Sequence, residues 1–167
     1  HASRWNLGEE ARRLYAGLLL SLRGSVCLYQ GEELGLTEAY VAYEDLQDPY
    51  GKRFWPKFKG RDGARTPMPW NAEGAHGGFS EARPWLPVAM EHLESAVSEQ
   101  DRDPDSMLAF YRRMIAFRKA WAPLVKGTME VLDADPGFIA LMRAHGGTRV
   151  WCGFNLSAEP RPVTLPE

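Results

Sequence analysis

The segment Gly60–Trp70, G-R-D-G-A-R-T-P-M-P-W, carries the side chains of this chain that are best suited to bind a polar ligand. Thr66 and Met68 each precede a proline, which disfavours the helical region of backbone space, and each proline fixes its own φ. We therefore predict a stiff, extended, non-helical loop, which holds side chains in place at low entropic cost. A guanidinium in such a loop can grip a carboxylate or neighbouring hydroxyls with a fixed fork of donors.

The two arginines of this loop receive different interpretations. We expect Arg61 and Asp62 to tie a turn together, with Gly63 supplying the bend. Arg65 has no such local explanation and stays open between a structural and a binding role at this point.

Composition narrows the class of protein. The chain has 167 residues, 44% hydrophobic and 25% charged, so it can bury a core of one ordinary domain or one and a half small ones. A net charge of −2 gives no reason to expect nucleic acid or a membrane as a partner. The only cysteines, Cys27 and Cys152, lie in apolar runs and are expected to be buried free thiols, with no metal site and no disulfide framework. We expect no cofactor.

The two ends of the sequence suggest a piece of a longer protein. The first residue is His1, and the last residues stop inside a strand-like run. No signal peptide opens the chain and no apolar run is long enough to span a bilayer, so we expect a cytoplasmic protein.

A helix followed by a buried strand opens the chain. Residues 6–23 have helical periodicity, with Asn6 as the N-cap and Gly24 after the C-terminus. The apolar run at 25–29 reads as a strand buried on both faces, which implies a parallel sheet. The loop 30–33, Q-G-E-E, would then leave the carboxyl end of that strand, where parallel α/β folds bind ligands. The predicted helix face contains Leu7, Ala11, Leu14, Tyr15, Leu18, Leu19 and Leu22.

The segment from residue 34 to about 103 has no sustained period and is rich in proline, glycine and aromatic residues. Flat rings next to Arg, Asp and Gln side chains suit a sugar site, because rings cover C–H faces while polar groups take hydroxyls. Short helical turns are predicted near 43–47 and 88–98.

The last third changes from helix to sheet. Asp103-Pro104 predicts the N-terminus of a second helix, which Pro123 would end. Runs at 129–132, 138–142 and 149–154, separated by turn signals, predict an antiparallel meander.

Four blocks of sequence resemble the α-glucosidase branch of the α-amylase superfamily, glycoside hydrolase family 13. These are Y-Q-G-E-E-L-G-L at 29–36, L-Q-D-P-Y-G-K at 46–52, F-W-P-K-F-K-G-R-D-G-A-R-T-P-M-P-W at 54–70 and P-D-S-M-L-A-F-Y-R-R-M-I at 104–115. They follow the order of the family over nearly the whole chain.

The resemblance implies α/β plus all-β architecture: a (β/α)8 TIM barrel followed by an antiparallel β-sandwich called domain C. Residues 1–122 would be the C-terminal end of the barrel, with helix 7, strand 8, the long loop and helix 8. Residues 123–167 would be the start of domain C. The N-terminal part of the same barrel is then the expected structural partner.

The resemblance also implies a function. The family cleaves α-glucosidic bonds with retention by means of two carboxyl groups, and the terminal bonds of small oligosaccharides or disaccharides are the expected substrate. The resemblance implies that these two carboxyl groups, and a further aspartate that helps to bind and distort the sugar, lie on barrel strands upstream of this chain, so no residue here is assigned a catalytic role. The alternatives are a sucrose isomerase or transglucosylase of the same family, and a non-catalytic carbohydrate-binding or structural module.

Five residues remain as substrate-binding candidates. Arg65 matches the second arginine of R-D-x-x-R, which the resemblance implies reaches the glucose subsite. Glu32 is more suited than Glu33 to approach the pocket, although wall packing explains both. The aromatic candidates for the outer subsites are Tyr43, Phe54 and Trp55, which packing of the long loop would explain as well. Gln47 and Asp48 belong to a matched block but receive no role.

Overall fold

The computed structural model describes residues 7–165. The chain divides into two compact units, one built from residues 7–12 and 28–111 and the other from residues 13–27 and 112–165. The boundary between 1–122 and 123–167 stays a prediction. The helices are α1 (Glu9–Ser21), α2 (Pro49–Phe54), α3 (Val97–Gln100), α4 (Met107–Ala120) and α5 (Ala122–Lys126), and the strands are β1 (Thr128–Asp135), β2 (Phe138–His145) and β3 (Thr148–Asn155).

Helix α1 confirms the first predicted helix but with a different buried face. Its buried residues are Ala16, Gly17, Leu20 and Ser21, whereas Tyr15 of the predicted stripe is exposed. The prediction was wrong because it ranked residues by hydropathy, while small residues are the ones that permit close packing here: Gly17 lies against the Phe154 ring. The predicted N-cap, Asn6, lies outside the described residues.

The predicted strand at 25–29 is not formed among the described residues. A parallel strand needs a neighbouring strand to pair its backbone groups, and the sheet that the described residues contain pairs only β1, β2 and β3. The prediction that both thiols are buried was also wrong: Cys27, in this segment, is exposed and Cys152 is partly buried, although both are free.

The long segment between α1 and α4 is ordered by short turns, as the absence of a period predicts. The 3-10 turns are Glu32–Leu34, Tyr43–Asp45, Asp62–Ala64, Ala75–Gly78 and Met90–Ser95. Two small apolar clusters hold it together. One contains Leu34, Leu36 and Leu108, with Met68 and Val97 packed on it; the other contains Val41, Leu46 and Leu86, with Trp55 packed on it.

Helix α4 begins three residues after the predicted position. Ser106 Oγ accepts a hydrogen bond from Ala109 N at 3.2 Å, so Ser106 caps the helix. The carboxylate of Asp103 instead accepts from Asp105 N, at 2.8 Å, within the preceding turn. Helix α4 ends at Ala120, just before Pro123 as predicted, and Pro123 itself lies in the first turn of α5, a position where the missing N–H costs nothing.

The three strands form an antiparallel meander in the order β1-β2-β3, as predicted. The central strand is buried over most of its length and the edge strand β1 is exposed throughout. The register of β1 on β2 shifts between Val131 and Asp133, which is the position of a β-bulge. An arginine, Arg143, lies fully buried in β2.

Candidate functional site

The loop that carries the two arginines is anchored by a buried aspartate. Asp62 is fully buried, and its Oδ2 accepts hydrogen bonds from the backbone N–H of Gln47 at 2.6 Å and of Asp48 at 2.7 Å. The loop 60–70 is non-helical apart from the single turn that Asp62 begins. A buried carboxylate that accepts two N–H donors fixes the position of the loop relative to residues 47 and 48.

A second buried aspartate, Asp48, joins the same two segments in the opposite direction, because it accepts hydrogen bonds from the arginine loop. Asp48 Oδ2 accepts from Arg61 N at 3.0 Å and from Arg61 Nε at 2.9 Å, while Oδ1 accepts from Tyr50 N at 3.0 Å and caps α2. The Arg61 guanidinium and these N–H donors lower the pKa of Asp48 from 3.8 to about 2. Each segment therefore supplies a carboxylate to the backbone of the other.

Two glycines allow the anchored segments to approach closely. A Cβ built on Gly51 would lie 2.7 Å from the Lys59 carbonyl oxygen, and one on Gly63 would clash with the Ala39 carbonyl oxygen. The backbone of Gly63 also accepts a hydrogen bond from Ala39 N at 3.0 Å. Arg61, Asp62 and Gly63 therefore make structural contacts, but the predicted local tie between Arg61 and Asp62 is wrong: both side chains join the loop to residues 47 and 48. Gly63 serves the close approach of Ala39.

The side chain of Arg65 differs from that of Arg61 in having no partner inside the described part of the chain. Its backbone N–H donates to Asp62 O at 2.8 Å, which ends the 3-10 turn. Its side chain is exposed, and neither a hydrogen bond nor an ion pair joins its guanidinium to any of residues 7–165. The guanidinium therefore keeps its full set of donors for a ligand or for a carboxylate.

The loop that contains Glu32 touches the arginine loop through a neighbouring amide. Gln30 Nε2 donates to the Thr66 carbonyl at 3.1 Å, so the Q-G-E-E turn lies against the residue after Arg65. Glu32 is buried, and its Oε2 accepts from Tyr29 N at 3.3 Å. Burial, and then the nearby charges of Glu32 and Glu33, raise the pKa of Tyr111 to about 12.

The aromatic candidates belong to two separate pairs of rings. The rings of Tyr43 and Trp55 lie 5.8 Å apart, and Trp55 rests on the apolar cluster beneath it. Phe54 instead stacks on Tyr50, with ring centroids 6.3 Å apart and planes 12° apart. Tyr43 and Phe54 are about half exposed, which leaves ring surface for a ligand. No ring contact or hydrogen bond within residues 7–165 joins Arg65 to these rings.

Sequence reasoning missed the part played by Asp48. The signal was present, because Asp48-Pro49 is an aspartate followed by proline, the pattern of a helix N-terminus. Its long-range partner, Arg61, lies 13 positions away and could not be found from spacing alone.

Two surface cavities lie away from the candidate residues. One, of about 430 Å³, is lined by Phe138, Trp151 and residues 161–165; the other, of about 390 Å³, is lined by residues around Asn71 and Glu99. Among residues 7–165, no group of three or more His, Cys, Asp or Glu side chains could hold a metal ion. In the same range, no helix has the length and apolar character needed to cross a membrane.

Residues 2–127 match the protein family described as "Alpha amylase, catalytic domain". Over 99% of its length the chain is 51% identical to a probable alpha-glucosidase of Rhizobium meliloti, of which it spans 31%. It is 34% identical, over 95% of its length, to a probable oligo-1,6-glucosidase of Bacillus subtilis, of which it spans 32%.

Solved structures also resemble the chain. An alpha-glucosyl transfer enzyme, XgtA, superimposes with a TM-score of 0.84 at 51% identity, covering 93% of this chain and 29% of the other. The trehalulose synthase MutB from Pseudomonas mesoacidophila superimposes with a TM-score of 0.78 at 28% identity, covering 93% of this chain and 31% of the other.

Proposed function

The chain belongs to the α-amylase superfamily, since the family match covers residues 2–127, and we propose that the protein that carries it is a retaining α-glucosidase. The chain corresponds to the C-terminal part of a (β/α)8 barrel followed by antiparallel β structure. The observation that supports α-glucosidase activity most directly is the 51% identity, over 99% of the chain, to a probable alpha-glucosidase. The chain spans only about a third of that relative, so the activity is proposed for the longer protein.

The proposed reaction removes a terminal α-linked glucose from a small oligosaccharide. One carboxylate attacks the anomeric carbon while a carboxylic acid protonates the leaving oxygen, and the resulting glycosyl-enzyme is then hydrolysed by water. Both acids are proposed to lie on barrel strands upstream of this chain. The residues described here would bind and orient the sugar.

Arg65 is proposed to bind the glucose unit at the cleaved bond. An exposed guanidinium on an anchored loop, with no partner among residues 7–165, can donate both to a sugar hydroxyl and to a carboxylate elsewhere in the barrel. Glu32, on the loop that contacts Thr66, is proposed to lie at the edge of the same pocket. The rings of Tyr43, Phe54 and Trp55 are proposed to contact sugar units farther from the cleaved bond.

Glucosyl transfer is the second candidate, because a 51% identical structure with a TM-score of 0.84 is an alpha-glucosyl transfer enzyme. Hydrolysis and transfer share the glycosyl-enzyme and differ in whether water or a sugar hydroxyl accepts the glucosyl group. Incubation of the longer protein with maltose, followed by chromatography of the products, separates them. Free glucose as the main product supports the hydrolase, and trisaccharides or isomerised disaccharides as the main products support transfer.

The test of the proposed site compares two arginines of one loop in the longer protein. Arg65→Lys keeps the charge but loses the fork of donors, so kcat/KM on maltose should fall by roughly a factor of 30 or more. Arg61→Lys is the control, because Arg61 is engaged with Asp48, and it should change kcat/KM by less than about a factor of 10. Circular dichroism checks that both variants are folded.

Two results contradict this assignment. Near-normal kcat/KM for Arg65→Lys together with a large loss for Arg61→Lys means that the other arginine binds the sugar. Near-normal values for both variants mean that this loop does not line the sugar site.

A further inference from the structure

The segment around α2 concentrates positive charge in a chain that is acidic elsewhere. Residues 52–61 contain five of the 20 lysines and arginines and none of the 22 aspartates and glutamates, which leaves 15 basic against 22 acidic residues in the rest of the chain. Arg61 is engaged with Asp48. The other four, Lys52, Arg53, Lys57 and Lys59, are exposed and form no ion pair with residues 7–165.

The same segment presents aromatic rings next to these cations. Arg53 Cζ lies 5.5 Å from the centroid of the Phe54 ring, and Lys59 Nζ lies 4.8 Å from that of the Tyr40 ring. The Tyr40 ring lies 6.4 Å from that of Trp55. Tyr40 and Tyr50 are 63% and 60% exposed, so much of their ring surface is uncovered. We call this segment the basic aromatic ledge. It comprises one group of Tyr40, Tyr43, Trp55 and Lys59 and a second group of Tyr50, Phe54 and Arg53, with the exposed Lys52 and Lys57 beside them in sequence.

The ledge is held in place by its backbone. Asp48 caps α2 through Tyr50 N, and the backbone of Gly51 packs against that of Lys59 and Gly60. The amide of Phe58 donates to Phe54 O at 3.1 Å, which folds the chain after α2 back on the helix. A ligand therefore meets rings and cations whose backbone is already ordered, which lowers the entropic cost of binding.

We propose that the basic aromatic ledge binds an anionic saccharide, that is, a sugar unit bearing a phosphate or carboxylate group. Aromatic rings pack on the C–H faces of a sugar ring, and lysine and arginine side chains attract and hydrogen-bond the anionic group. This inference rests on the proposed function, because Tyr43, Phe54 and Trp55 are the rings assigned there to outer sugar units. It adds a preference for a charged group on the part of the substrate that lies beyond the cleaved bond.

The charge distribution favours a small anion over a polyanion. Rings and cations together also suit single-stranded nucleic acid, but a long polyanion would extend from the ledge over a chain whose remaining residues carry a net charge of −7. A sugar with one anionic group gains the attraction of the ledge without that repulsion.

The test measures binding directly, so that it does not depend on turnover. Calorimetric titration of the longer protein with glucose 6-phosphate, glucuronate, glucose and inorganic phosphate compares a charged sugar with its two separate parts. At low salt, we expect glucose 6-phosphate to bind about tenfold more tightly than glucose and about tenfold more tightly than inorganic phosphate. Because roughly 0.5 M NaCl screens charge–charge attraction, we expect this preference to shrink at that salt concentration. The glucuronate titration distinguishes a carboxylate from a phosphate as the preferred group.

Variants of the ledge separate the contributions of charge and ring. Arg53→Gln combined with Lys59→Gln should bring the affinities for glucose and for glucose 6-phosphate within about a factor of two of each other. Lys119→Gln combined with Lys126→Gln removes the same charge from exposed sites of another segment and should keep the preference. Tyr50→Ala should weaken the binding of glucose and of glucose 6-phosphate by a similar factor and leave the ratio of the two affinities unchanged.

Four results would overturn the proposal. The first two are equal affinity for glucose and glucose 6-phosphate, and a preference for glucose 6-phosphate that survives Arg53→Gln combined with Lys59→Gln. The other two are inorganic phosphate that binds as tightly as glucose 6-phosphate, and oligothymidylate that displaces glucose 6-phosphate at a concentration below that of the sugar. Turnover of p-nitrophenyl α-glucoside is measured on the same preparation. Normal turnover without the preference rejects this inference alone, whereas absent turnover with the preference rejects the proposed function alone.

Discussion

Asp48 accepts three hydrogen bonds at one buried carboxylate, which couples the stability of the protein to pH. Its pKa is lowered from 3.8 to about 2 in the fold. The folded state therefore favours the carboxylate, and this stabilisation is complete above about pH 4 and is lost as the pH falls toward about 2. We predict that Asp48→Asn is less stable than the wild type at pH 6 and that this difference shrinks between pH 4 and pH 2.

Urea unfolding of both proteins at several pH values measures this difference. Asp135, whose pKa the Arg161 guanidinium also lowers, responds in the same direction in both proteins and therefore cancels in the comparison. A stability difference that stays constant from pH 6 to pH 2 would show that the Asp48 carboxylate is not the titrating group.

Gly63 gives a second prediction at the scale of one residue. A methyl group on Gly63, in the anchored loop, would clash with the backbone oxygen of Ala39 in the preceding segment. We expect Gly63→Ala to cost about 1–3 kcal/mol of unfolding free energy through overpacking. Gly8→Ala is the control, since nothing lies within 4 Å of a Cβ there, and it should leave the urea midpoint unchanged or slightly raised. Equal effects of the two substitutions would refute the close approach.

The interactions of these residues show which part of the site was predictable. The proline-restricted loop and the local turn at Arg61–Gly63 follow from backbone chemistry at neighbouring positions. The carboxylates of Asp48 and Asp62 act on backbone groups 13 to 15 residues away, and such contacts depend on how the whole loop folds. The binding of sugar by Arg65 and by the aromatic candidates stays a prediction. The carboxylate proposed as the partner of Arg65 belongs to another part of the barrel, which the spacing of residues in this chain does not reach.

Helices and strands were predictable in type but less so at their ends. The meander followed from three strand-like runs separated by two turn signals, the first long helix followed from its apolar spacing, and the second followed from the Asp103-Pro104 pair. The start of α4 was misplaced because Asp103-Pro104 and Ser106 both resemble helix N-termini, and only the hydrogen bond from Ala109 N distinguishes them. The segment 25–29 has the composition of a buried strand, but a strand also needs partners, which local composition cannot supply.

Two arginines donate to carbonyl groups at the end of α1 and just after it, and one of them also donates to Gly127 and Thr128. Arg143 of β2 donates to Ser21 O at 2.6 Å, Thr128 O at 2.9 Å and Gly127 O at 3.2 Å, and it is fully buried. Arg118 of α4 donates to Leu22 O at 2.9 Å and Gly24 O at 2.8 Å. Carbonyls at a helix C-terminus lack partners within the helix, so the two guanidinium groups supply donors to Ser21 and to the residues that follow it.

Replacement of Arg143 should therefore weaken this unit as a whole. Arg143→Met fills similar volume but leaves three carbonyls without their donor, and we expect a loss of about 2–4 kcal/mol of unfolding free energy. Lys126→Met, at the exposed end of α5, is the matched control and should change the free energy by less than about 0.5 kcal/mol. Urea unfolding measures both, and a loss below that of the control would mean that water replaces the guanidinium without cost.

At the scale of the whole molecule, we propose that the chain supplies substrate-binding surface and that the two acids of the retaining mechanism belong to the rest of the longer protein. It spans 31% of a probable alpha-glucosidase, and the resemblance of its motifs implies that the catalytic acids lie on strands upstream. We predict that the purified 167-residue chain does not hydrolyse p-nitrophenyl α-glucoside, because the oxocarbenium-like transition state needs a nucleophile and an acid on opposite sides of the bond. Co-expression with the preceding part of the barrel should restore turnover, with a mock purification as the background. Hydrolysis by the chain alone above that background would mean that carboxylates such as Glu32 perform the chemistry, and the assignment of this chain to substrate binding would be wrong.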